Sequence, residues 1–154
     1  MQPRTTIRVV LAGVTVAGAA AAAALLGPAG SAVGQSSIPL QLQIQVNSPA
    51  SLVARGAGVE VSVTTQCSGA APGQTNVQVF LNQRVGSGIA FGGGSTIVDC
   101  TGASQTSTVL VQSSPGSKPF KKGVAVAQGI INGCTPDFSF CTDQQVTPTI
   151  QIGS

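Results

Sequence analysis

The 154 residues contain no histidine, no tryptophan and no tyrosine, and only seven lysines and arginines stand against four acids. Without histidine, the chain lacks the side chain that most often moves protons near neutral pH. Four scattered carboxylates do not replace it, so the reading is of a protein that is not an enzyme. Zinc is disfavoured on the same ground. A structural site would need all four cysteines, and Cys67, Cys100, Cys134 and Cys141 include no C-x2-C knuckle. A redox C-x-x-C is absent as well. No metal or cofactor is expected. From residue 35 onward Arg55, Arg84, Lys118, Lys121 and Lys122 face Glu60, Asp99, Asp137 and Asp143, a net of +1 from five cations and four acids. That is no nucleic-acid footprint.

What is present starts with a leader. Arg4 and Arg8 precede an unbroken apolar run from Val9 to Leu26, followed by Pro28 and small residues. This is the pattern of a secretory signal peptide over residues 1–34, helical and cleaved after Ala32 or Gly34. The competing reading is a retained anchor, since the run is about long enough to span a bilayer. The small-residue tail favours cleavage, and membrane contact through the signal peptide alone. The expected product is a secreted, extracellular single domain over 35–154.

Outside the cytosol, four cysteines read as two disulfides. Cys134 and Cys141 enclose "TPDFSF" and stay near each other however the chain folds, which favours their pairing and leaves Cys67 for Cys100. Four cysteines permit three pairings.

Period-two alternation runs through most of the remaining chain. "LQLQIQV" places Leu40, Leu42, Ile44 and Val46 on one face and three glutamines on the other. The same pattern recurs in "VEVSVTTQC", "NVQVFLNQ", "STIVDC", "TSTVLVQ", "GVAVAQGIING" and "QVTPTIQI". Val61, Val79 and Val126 are expected at the core. Gly-, Pro-, Ser- and Asn-rich stretches separate these runs. The expected fold is all-β: an antiparallel sandwich of about seven strands with immunoglobulin-like architecture. Without tryptophan or tyrosine, the inter-sheet Trp and the tyrosine corner of receptor-type domains cannot form.

The stretches "GSGIAFGGGSTIVDCTG" at 86–102, "QTSTVLV" at 105–111 and "FKKGVAVAQ" at 120–128, with Cys134 and Cys141 after them, carry a resemblance to small secreted four-cysteine proteins of high-GC Gram-positive bacteria. Their function is uncharacterised. The resemblance implies an exported sandwich and brings no activity or site residue with it.

Four local features have a sharper and a blander reading. "GSGIAFGGGS" lacks the Lys-Ser/Thr ending of a phosphate-binding P-loop and reads as a mobile loop. "KPFKKG" gathers three lysines that would suit an anionic wall polymer, but reads first as a solvated hairpin turn. Asp137 and Asp143 flank the small loop without the dense oxygen ligands of a calcium site. Phe138 and Phe140 alternate, and core packing is expected for one of them.

Three classes remain. The favoured one is a structural or interaction module of the cell envelope or extracellular space, meeting a cell-wall polymer or a secreted protein. A concrete form is self-association through the strand Leu40 to Val46, whose edge carries no charge. The alternative is a small-molecule-binding β-sandwich of neocarzinostatin-like architecture, for which a deep apolar cleft would speak. An enzyme is the weakest.

Overall fold

The computed structural model describes residues 39–153; the leader read at 1–34 lies outside them. Nine strands make up nearly all of the regular structure. They are β1 (Gln41–Val46), β2 (Ala50–Val53), β3 (Gly58–Ser68), β4 (Thr75–Val85), β5 (Gly88–Val98), β6 (Ser104–Ser113), β7 (Gly123–Cys134), β8 (Cys141–Val146) and β9 (Thr149–Gly153). One 3-10 turn, Ala54–Gly56, joins β2 to β3.

The all-β class is as expected, but the two open sheets are not. Seven strands close on themselves in the order β3-β2-β9-β7-β4-β5-β6 and back to β3, a barrel rather than an open sandwich. Strands β1 and β8 lie outside the ring, on β3 and β7. Two short seams make the closure. One is the parallel pairing of β2 with β9 at Ala50–Ile152 and Ser51–Gly153. The other joins β5 to β6 at Gly92–Ser113 and Gly93–Gln112.

The second seam explains the glycine run. A β-carbon on Gly92 would lie 2.0 Å from the Gln112 carbonyl oxygen, and one on Gly94 would lie 2.1 Å from that of Leu110. Only a strand without side chains at these inward positions lets the two backbones approach so closely. "GSGIAFGGGS" is therefore part of strand β5 and not the mobile loop its composition indicates. Strand β2, which also reads as loop, pairs with both β3 and β9. At the C-terminal side, "QVTPTIQI" is two strands, because Thr147 and Pro148 interrupt the ladder between β8 and β9.

Alternation then fills the interior. Val59, Val61 and Val63 of β3, Val77, Val79 and Leu81 of β4, and Val109 and Val111 of β6 are all buried. In β7 the inward residues are Ala125, Ala127 and Ile131. Val126 points outward, 44% exposed, which corrects its expected core place. The physical reason is that "VAVA" alternates between two apolar residues, so hydrophobicity alone does not reveal which set faces in. Each fully buried aliphatic side chain contributes about 1.5–3 kcal/mol.

Candidate interaction surfaces

The strand Leu40–Val46 was the sequence's most specific candidate, and the structure places it at an edge. Over Gln41–Val46 it pairs with β3 on one side, and among the described residues no ladder covers its other side. The register tells which groups are left open. Beyond the last paired residues, Val46 and Val63, the Asn47 N–H donates to the Ser62 carbonyl at 2.9 Å. Hydrogen-bonded pairs alternate along an antiparallel ladder. Gln41, Gln43 and Gln45 thus spend their backbone groups on β3, while Leu42, Ile44 and Val46 direct their N–H and C=O groups to the flank. Those three residues are 8%, 8% and 6% exposed, so their apolar atoms stay inside and only a narrow strip of this flank is open.

Around this edge the outer face is neutral. Gln43 lies opposite Gln66, and Gln45 opposite Thr64, which in turn faces Thr106 on β6. The Asn47 amide donates to the hydroxyls of Ser62 at 3.2 Å and Thr64 at 3.0 Å, and the Thr64 and Thr106 hydroxyls stand 3.3 Å apart. No charged side chain interrupts the rows from Gln41 to Asn47, so the usual electrostatic guard of an edge strand is missing.

The opposite outer face, on β5, β4 and β7, has another character. Phe80, Phe91, Ile89, Val124 and Val126 are exposed there. Phe80 faces Gly93, close enough that a β-carbon on Gly93 would meet the ring at 2.9 Å. Neither Phe80 nor Phe91 was singled out in the sequence, although each sits out of phase with buried neighbours, Val79 and Leu81 or Ala90 and Gly92.

Disulfides join Cys67 to Cys100 and Cys134 to Cys141. Phe138 and Phe140, between the latter two, are 60% and 55% exposed, so neither caps the core. The Cys134–Cys141 bridge closes the loop tightly at the rim of the barrel, beyond the reach of the core. The lysines of "KPFKKG" do not sit on a hairpin either. Their segment crosses from β6 to β7, which pair with different neighbours, and Phe120 within it is fully buried. Asp137 accepts hydrogen bonds from the Thr135 hydroxyl at 2.6 Å and the Ser139 N–H at 3.2 Å. These bonds stabilise the charged form and lower its pKa from 3.8 to about 2. Asp143, on β8, is exposed.

The interior that a small-molecule site would need is occupied by side chains. A depression of about 330 Å³ lies outside it, at the β4–β5 turn, lined by Asn82, Gln83, Arg84, Ser87, Gly88 and Ile89.

No protein-family model matches the chain, and no curated protein matches it. A solved structure, AggA, the major subunit of aggregative adherence fimbriae type I from Escherichia coli, is 12% identical at a TM-score of 0.38. The match covers 75% of this chain and 95% of that one, a likeness too slight to carry fold or function across.

Proposed function

We propose that the protein is a secreted interaction module of the cell envelope or extracellular space that recruits a partner by adding an extended strand to the edge of β1. The observation that carries this reading is the set of unpaired backbone groups on Leu42, Ile44 and Val46, in a strand with no charge to repel a visitor. Main-chain hydrogen bonds of this kind supply affinity without demanding a particular partner sequence. Export is supported by the leader-like residues 1–34 and by four cysteines that are all paired. A binding role rather than a catalytic one is supported by the absence of histidine from the whole chain. The filled interior favours an interaction module over a small-molecule carrier.

Hydrogen exchange resolved to single amides tests the reading. In the dilute protein the amides of Leu42, Ile44 and Val46 should exchange fast, and those of Gln43 and Gln45 slowly. Adding wall or secreted-protein fractions from the producing cells should protect the first set. Gln43→Lys should leave the fold intact and abolish that protection. Slow exchange of the first set in the dilute protein, or equal protection in the Lys variant, would overturn it.

A further inference from the structure

Charge is sorted between the two ends of the barrel. One end is built from the Ala54–Gly56 turn, the β4–β5 turn and the β6–β7 crossing. It carries Arg55, Arg84, Lys118, Lys121 and Lys122, which are all the cations among the described residues. At the other end, the β5–β6 and β7–β8 connections and the start of β8 carry Asp99, Asp137 and Asp143. Glu60, the remaining acid, lies on the outer face of β3 two residues from its start at the basic end, paired with Ser51 and Leu110, so that end carries five cations and one acid.

The loops at the basic end are held in place. Phe120 is buried, and its N–H donates to the Gly56 carbonyl at 2.9 Å. A side chain at Gly56 would clash with the Phe120 carbonyl, since its β-carbon would lie 2.2 Å from that oxygen. Gln83 binds the backbone of Lys121 through both halves of its amide. Five cations are therefore presented on an anchored surface.

Each end also exposes large apolar side chains. Ile89 and Val124 lie beside the cations, at 61% and 56% exposure, and Ile97, Phe138 and Phe140 lie at the acidic end, at 64%, 60% and 55%. Strands of eleven residues such as β3 and β4 separate the ends by roughly 35 Å. That is several times the screening length of about 8 Å at physiological salt. The two ends cannot neutralise each other within one molecule, but they can between molecules.

From this we infer that the protein stacks head to tail, the basic end of one copy seating against the acidic end of the next. A basic end alone would fit any polyanion, whether a wall polymer or an anionic membrane. The matching acidic and apolar end on the same chain selects a second copy as the occupant. Such a contact is heterologous, so it leaves a free end at each terminus and propagates into a row unless its rotation closes a ring. It does not use β1, and it stands or falls apart from the edge reading.

Sedimentation velocity on the purified disulfide-bonded protein tests it. Association should grow with concentration at about 0.02 M salt and weaken roughly tenfold by about 0.5 M. Two variants then separate the ends: Lys121→Glu with Lys122→Glu, and Asp99→Lys with Asp143→Lys, each checked for native circular dichroism and intact disulfides. Each alone should associate far more weakly than wild type. An equimolar mixture should associate again in pairs, because the intact acidic end of the first variant meets the intact basic end of the second, while the two altered ends carry no opposite charges to join. Gln43→Lys should associate as wild type does. A monomeric wild type at low salt, variants that associate unchanged, or a mixture that stays monomeric would overturn the inference. So would loss of association in Gln43→Lys, which would give it to β1. Binding to phosphatidylglycerol vesicles without self-association would overturn it too, assigning the basic end to an anionic surface.

Discussion

The buried amide of Gln83 donates from Nε2 to the Lys121 carbonyl at 2.7 Å and accepts the Lys121 N–H on Oε1 at 2.8 Å, imitating one rung of a β-ladder. Gln83 is only 4% exposed, so neither bond is readily replaced by water. Gln83→Leu should leave the Lys121 backbone unpaired and cost about 1–3 kcal/mol. Residues 114–122 should then exchange their amides faster than in wild type. A variant with unchanged urea midpoint and unchanged exchange in this segment would show that the pair does not anchor the crossing.

A second expectation concerns barrel closure. Gly94→Ala places a β-carbon against the fixed backbone of Leu110, whereas Gly93→Ala meets only the ring of the exposed Phe80, which can turn aside. The first change should part β5 from β6 and lower the thermal midpoint by several degrees, and the second should shift it much less. Equal shifts would mean that the seam is looser than these backbone approaches indicate.

These two sites mark where sequence pattern stopped being informative. The strands that alternate cleanly, such as "LQLQIQV" and "VEVSV", were legible because one apolar set implies one inward face. β5 was legible only from Ser95 onward, in "STIVDC"; its first half was not, because its closing positions are glycines, and a tight backbone crossing looks the same as a loop in composition. The edge at β1 was legible as an unguarded strand. Which of its amides are free required the register at Asn47 and Ser62. The sorting of charge to opposite ends was hidden, since the five cations are spread from position 55 to 122 and meet only once the strand directions are known.

Register itself is testable at Val61 and Val126. Val61 is fully buried and Val126 is 44% exposed, although both sit in strongly apolar runs. Val61→Asp should bury an unpaired charge and cost several kcal/mol, enough to unfold a marginal domain. Val126→Asp and Glu60→Gln should each stay within about 1 kcal/mol of wild type in denaturant titration. Comparable damage from Val126→Asp would put the inward face of β7 in the wrong phase.

Thr65 offers the opposite sign. Its hydroxyl is buried, the residue being 1% exposed, and has no hydrogen-bond partner. Thr65→Val keeps the shape and removes the unpaired group, so it should raise stability by about 1 kcal/mol. Destabilisation by a similar amount would reveal a partner, such as a bound water, for that hydroxyl.

The last expectation is a pH dependence local to the Cys134–Cys141 loop. The Thr135 hydroxyl, then the Ser139 hydroxyl and N–H, favour the charged form of Asp137 and lower its pKa from 3.8 to about 2. A carboxyl whose pKa falls on folding adds stability that is complete above its unfolded value and is lost as pH drops through the folded one. The loop should therefore keep its order at pH 4 and above, and loosen between about pH 4 and pH 2. Because Asp137 is fully exposed, the change should stay within residues 135–140 and leave the barrel folded. The carboxyl carbon of Asp137, followed by NMR, should titrate with a midpoint near 2. Thr135→Val removes the largest contribution and should move that midpoint up toward 3.8. A wild-type midpoint already near 3.8, or one that Thr135→Val leaves in place, would mean that the hydroxyl does not hold the carboxylate in solution.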